Sequence, residues 1–193
     1  MDNSTNDAGT SKAQLFTVFL IDKEEYGASV DNIIEIVENL PITPVPESLD
    51  YVLGIINLRG KIIPIIDLEK KFGLVHESKI NFKHILIAEV NKTLFAIRVE
   101  EVKEVVKLRE EDIKPVPSAV ASKISGDYLK GVFVEDYKET NAEKKEEARD
   151  PRIILILDFQ KIFSPEEIRK PINAVNADTA KTEGGVINEN ANS

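Results

Sequence analysis

The sequence predicts a mainly β protein of two small barrels, produced by an internal duplication and carrying a few short helices. Three observations predict it. A set of motifs occurs twice in the same order, the segments between them are short and rich in Ile and Val, and turn residues separate those segments.

The duplication is read directly from the residues. Ile62 through Phe72 matches Ile153 through Phe163, each an apolar run followed by Asp, a large apolar residue and, four positions on, Phe. Upstream, Tyr51-Val52-Leu53-Gly54 matches Tyr128-Leu129-Lys130-Gly131, and Pro44-Val45-Pro46 matches Pro115-Val116-Pro117. Further up, Ile34-Glu35-Ile36-Val37 matches Lys103-Glu104-Val105-Val106. The offset between copies widens along the chain, so the second copy carries insertions. The largest lies between Gly131 and Ile153, where 135–150 is dense in Lys, Glu, Asn and Asp and reads as a solvated loop with a helical turn over 142–148. One barrel is expected over about 16–75 and the other over about 80–163.

Within each copy the elements follow from residue type. Leu15 to Ile21 and Ile85 to Val90 are short apolar runs that fit buried strands, since stiff β-branched side chains suit a pleated sheet. Val52 to Leu58 and Ile62 to Ile66 flank Arg59-Gly60, where Gly60 supplies the positive φ of a tight hairpin. Pro64 has no backbone donor, which places its strand at an edge or a bulge. Asp67 caps a short helix running through Phe72, with Gly73 as its stop, and Asp158 starts the equivalent turn. Ser164-Pro165-Glu166-Glu167 is a capping-box start for a last helix, which Pro171 should end. Val30, Ile33, Ile34 and Val37 fit a helical stripe, whereas Ile34 and Ile36 fit one face of a strand; Val99, Val102 and Val106 pose the same choice. β-branching favours strand, and periodicity leaves the choice open. The polar segments 1–12 and Asn173 to Ser193 bury too little apolar surface to order, so 166–193 reads as a short helix and a disordered tail.

Composition bounds the function. With 25 Lys plus Arg against 34 Asp plus Glu, the formal charge of −9 repels phosphate backbones and anionic headgroups, so neither nucleic acid nor a membrane surface is an expected partner. The absence of Cys removes disulfides and thiolate chemistry and suits a reducing compartment. The polar start lacks the apolar run of a signal peptide, and the cytoplasm is the expected address.

The stretch from Tyr51 to Leu68, with Asn57-Leu58-Arg59-Gly60 between two apolar runs and then Pro64 and Asp67-Leu68, resembles the signature of the CheW-like chemotaxis coupling family. The resemblance extends from Leu15, through Glu25-Tyr26-Gly27, to Phe163, and marks 13–165 as the matching domain. It implies a pair of intertwined, five-stranded, SH3-like barrels, with the first strand shared between them. It also implies a non-enzymatic adaptor that needs no cofactor and bridges chemoreceptor cytoplasmic tips to the regulatory domain of the histidine kinase CheA. Carried onto this chain, Asn57, Arg59 and Gly60 match the signature turn, Glu35 matches an acidic position paired with Arg59, and Gly54 matches a glycine implicated in partner contacts. Val30 and Ile33, with Val99 and Val102, resemble the apolar groove between barrels where receptor helices dock. Each residue also has a purely structural explanation: a solvated turn for Arg59, an exposed strand charge for Glu35, backbone geometry for Gly54 and Gly60, and core packing for the four apolar positions.

Catalytic constellations are missing from the sequence. His76 and His84 are the two histidines, and no phosphate-binding glycine loop, paired-His metal motif or nucleophile elbow is present. A carboxylate-based hydrolase is the weak rival. The nearer rivals are a coupler serving another chemosensory array, such as one for surface motility, and a generic SH3-like peptide-binding module. The absence of Trp, with only four Tyr and eight Phe, argues against a groove for proline-rich peptides.

Overall fold

The computed structural model describes residues 12–46, 48–74, 82–121, 124–135 and 151–173. Apart from their boundary residues, the segments expected to be disordered (1–12 and the tail from Asn173) and the 135–150 insertion lie outside the described residues. Among the described residues, ten strands form two five-stranded sheets: β1 (Gln14–Ile21), β2 (Glu24–Ser29), β3 (Ile33–Glu38), β4 (Val52–Leu58), β5 (Lys61–Ile66), β6 (His84–Val90), β7 (Thr93–Val99), β8 (Glu101–Leu108), β9 (Leu129–Glu135) and β10 (Arg152–Leu157). One sheet has the order β8-β1-β2-β10-β9 and the other β3-β6-β7-β5-β4.

Both sheets repeat one plan. Counting five strands in each half, each sheet runs third, first, second, fifth, fourth, and takes its first and second strands from the opposite half. The sheets therefore do not follow a division into 16–75 and 80–163, because the halves exchange their leading hairpins. Nor is β1 shared between sheets: it lies between β8 and β2, with ladders to both neighbours along nearly its whole length, and has no free edge to offer.

Burial explains the unbroken apolar runs. Ile85 and Ile87 of β6 face a small core with Ile56, Ile63, Ile65 and Ala96, the interior of the second sheet's barrel. The alternate residues Leu86, Ala88 and Val90 face a large central core between the sheets, which also holds Phe19, Tyr26, Phe95 and Leu155. β10 divides likewise, with Ile154 and Ile156 packing on Phe16, Val18 and Leu108, while Leu155 and Leu157 join the central core. A strand that separates two cores shows no polar alternation.

Local signals fold as their chemistry requires. Arg59 (φ +53°) and Gly60 (φ +83°) make a two-residue hairpin turn, as do the repeat-related pairs Asp22-Lys23 and Asn91-Lys92. Asp67 caps α1 (Leu68–Phe72) by accepting from Lys70 N at 3.1 Å, and Gly73 ends it with φ +73°. Asp158 caps α3 (Phe159–Ile162), which follows the four-residue α2 (Ser118–Ala121). Ser164 and Glu167 exchange the two capping-box bonds at the start of α4, and that helix, spanning 165–173, continues through Pro171 instead of ending there. Pro64 lies in an interior strand, yet the ladder from β5 to β7 registers only Ile65 and Ile66, so the strand has one paired neighbour at the proline. Val30 sits on a 3₁₀ turn, and Ile33 to Glu38 form a strand, which resolves the open choice at that segment.

Candidate partner-binding surface

The signature turn projects from the end of the second sheet. Asn57 Oδ1 accepts from Gly60 N at 2.8 Å, an Asx-type bond that holds the turn closed. Arg59 occupies a positive φ that a bulky residue adopts only under strain, and its side chain is 77% exposed. Its guanidinium donates to Glu35 Oε1 at 2.7 Å, which links the β4–β5 turn to β3, the opposite edge strand of the same sheet. The pairing expected of Glu35 and Arg59 is thus present, and it bridges the two edges of the barrel.

β3 carries a bulge. Its register on β6 passes from Ile33 to Glu35, leaving Ile34 unpaired and turned outward. Ile34 is 57% exposed and Ile36 42%, so two large apolar side chains stand on the exposed face of β3, on either side of Glu35 along the strand. The repeat places a second bulge at Lys103, where the ladder from β1 passes from Glu104 to Val102. Around that bulge Glu104 binds Arg152 at 2.8 Å, Lys103 binds Glu25 at 2.6 Å, and Arg152 reaches Glu25 as well at 2.7 Å. Burial of Glu25 opposes its ionisation, but the hydrogen bonds from Lys103 and Arg152 prevail and hold its carboxyl below the usual range. The copies have therefore diverged: one presents apolar residues around an ion pair, and the other presents a charge network with Val105 alone exposed among apolar residues at its bulge.

The remaining expected site residues separate by burial. Val30 is half-buried, and Ile33 and Val102 pack partly against the central core while keeping some exposed surface. Val99 is 0% exposed within that core and offers nothing to a partner. Gly54 is also buried. Its φ of +142° and the close approach of the Thr43 carbonyl, onto which a Cβ would fall, account for the glycine by backbone geometry. Gly131 repeats this crowding against the Lys114 carbonyl.

The CheW-like domain model matches residues 15–167. The chain belongs to that family. Among relatives, the chemotaxis protein CheW of Helicobacter pylori is 37% identical over 106 residues, spanning 55% of this chain and 64% of that protein. The chemotaxis protein CheW of Klebsiella aerogenes is 29% identical over 161 residues, spanning 83% of this chain and 88% of that protein. The crystal structure of the scaffolding protein TtCheW from Thermoanaerobacter tengcongensis superposes with a TM-score of 0.63 at 30% identity, covering 81% of this chain and 96% of that one. The mainly β, duplicated SH3-like fold expected from the sequence is the fold of this family. On this CheW-like frame, Ile34 and Ile36 are the surface residues that the sequence reading did not place at the site. The alternation at Ile34 and Ile36 was their one legible signal, because a bulge leaves no periodic trace.

Proposed function

We propose that this protein is a non-enzymatic adaptor that couples chemoreceptor cytoplasmic tips to the regulatory domain of the histidine kinase CheA. Family membership supports the chemotaxis role, and the apolar residues exposed beside the Glu35–Arg59 pair carry the reading of this surface as a docking face. An exposed ion pair stabilises a fold by only about 0–1 kcal/mol, so a strained arginine tied to a strand that exposes two isoleucines is better explained by a partner than by stability. Apolar anchors then supply affinity and the charges set register. Ile33, Val30 and Val102 border the joint between the sheets and extend the apolar face toward a receptor helix. The diverged bulge of the other barrel gives the coupler a second, non-identical face, which suits simultaneous contact with two partners in the cytoplasm. No helix among the described residues is long and apolar enough to cross a membrane.

The test is reconstitution of receptor, kinase and this protein, with kinase autophosphorylation measured as the protein is titrated. Activation should saturate at a fixed stoichiometry and collapse for Ile36→Asp and Arg59→Glu, both of which should fold. Full activation at trace amounts, or normal activation by both folded variants, would refute the adaptor reading of this face.

A further inference from the structure

The barrel of the first sheet is open at the end where β1 begins and β8 finishes. Gln14 pairs with Leu108 and Leu129 with Leu157, so the N-termini of β1 and β9 and the C-termini of β8 and β10 converge there. Between them lies a groove of about 830 Å³. Lys12, Arg109, Lys130 and Lys161 line it, a local excess of positive charge on a chain whose formal charge is −9. Leu108, Ile113 and Leu129 supply apolar lining.

The other barrel shows that this opening is a departure from the shared plan. By the repeat, Arg109 and Lys130 correspond to Leu40 and Leu53, whereas Ile113 keeps the apolar place of Ile42 and packs on its own barrel's core. Leu40 and Leu53 pack onto the interior of the second barrel. Leu53 and Lys130 both sit at the residue skipped by a bulge, so the same backbone device aims an apolar side chain at a core in one copy and a cation at the groove in the other. Two acidic residues also line the groove. Asp158 is engaged in capping, accepting from Gln160 N at 3.1 Å, with Lys161 at 3.9 Å, and Glu110 is exposed. Arg109 pairs with Glu111 at 3.2 Å, but both side chains are largely solvated, so the pair exchanges readily for another carboxylate.

We propose that this groove docks an acidic peptide segment bearing an apolar side chain, contributed by a partner protein. Carboxylates of the peptide meet Lys12, Arg109 and Lys130, while its apolar residue packs on the half-buried Ile113 and the exposed Pro115. The negative charge elsewhere on the surface repels such a segment and so directs it to this end. The site lies on the barrel that does not carry the Glu35–Arg59 pair, and it stands or falls independently of the function proposed for that pair.

The full chain is titrated into a short fluorescein-labelled peptide of alternating Glu and Leu, and into its Lys-Leu counterpart, with anisotropy as the readout. The acidic peptide should bind, the basic one should not, and added salt should weaken binding. Combined Arg109→Glu and Lys130→Glu should reduce affinity at least about tenfold, while Lys23→Glu, an exposed reversal at the far β1–β2 turn, should change it less than about twofold. Equal binding of the two peptides, or indifference to the double reversal in a folded variant, overturns the proposal. Displacement of the peptide by inorganic phosphate at matched concentration also overturns it, in favour of a small-anion site.

Discussion

Replacing Gly54 by Ala should unfold much of the stability of the second barrel without touching a surface side chain. Residue 54 has φ +142°, a region that costs a non-glycine residue about 1–3 kcal/mol. A new Cβ would fall on the Thr43 carbonyl oxygen, 2.8 Å from its carbon and 3.0 Å from Ile42 Cγ2, and neither backbone can yield without the other. Relief requires breaking the bridge in which Thr43 N donates to Ile55 O at 2.9 Å and Ile55 N to Thr43 O at 2.8 Å. Each such bond contributes about 1 kcal/mol. The sum is a destabilisation of about 3–5 kcal/mol, a large share of a typical domain's stability. Gly60→Ala is the internal comparison: its φ is +83°, but nothing lies within 4 Å of the added carbon, so strain alone applies and the loss is about 1 kcal/mol. Urea denaturation followed by circular dichroism measures both. A Gly54→Ala protein within about 1 kcal/mol of the parent, or a Gly60→Ala protein equally damaged, would refute the backbone account of Gly54 and return it to the partner surface.

Two titrations and one turn substitution follow from the same structure. Glu69 is held near pH 8 by burial first and then by Asp67, Asp22 and Glu100, with Arg98 opposing. Because that folded value lies above the ordinary 4.5, its contribution to stability is fully present below the ordinary value and is lost as pH rises toward about 8; Glu69→Gln should flatten the profile between about pH 5 and about pH 9 in urea midpoints. Glu167 behaves oppositely. Burial disfavours its charge, yet Lys71 and Tyr51, donating at 2.7 and 2.6 Å, and the Ser164 amide bring its carboxyl down to about 2. Its contribution is therefore present above the ordinary carboxylate range and lost as pH falls toward about 2, and Glu167→Gln should lower the melting temperature at neutral pH but not in strong acid. Arg59→Gly removes an exposed ion pair and relieves a positive φ, so thermal melting should move by less than about 1 kcal/mol in equivalent stability even though the proposed docking face is lost.

Much of the fold was legible because its punctuation is local. The Arg59-Gly60 turn, the Asp67 and Gly73 caps and the Ser164–Glu167 box each depend on residues within one turn of chain, where side-chain chemistry acts alone. The exchange of hairpins was legible only as the intertwining that the family resemblance implied, not in the residue pattern itself. β1 and β6 carry the same apolar pattern because they descend from one strand, so pairing β1 within its own half or across to β8 satisfies alternation equally. Burial at the joint was hidden for the same reason. Val99 and Val102 are both valines on either side of Glu100 and Glu101, and only the three-dimensional course of β7 into β8 buries the first fully and the second in part. Ile34 is the converse case, an apolar residue that a bulge turns into solvent.

The exchanged hairpins also bear on how the chain is made. Synthesis releases β1 and β2 first, and their two-residue turn lets them pair at once, but the strands that flank them, β8 and β10, leave the ribosome only in the second half of the chain. Until then the hairpin keeps two bare edges, whereas β3, β4 and β5 receive the hairpin that fills the middle of their own sheet as soon as β6 and β7 follow them. Contacts this distant in sequence slow folding and lengthen the exposure of unpaired edges to other nascent chains. The chain between Leu74 and Phe82 looks like a natural place to cut a shorter version, yet a cut there leaves both products without a complete sheet. Neither piece should be soluble by itself, and the two should fold only when produced together.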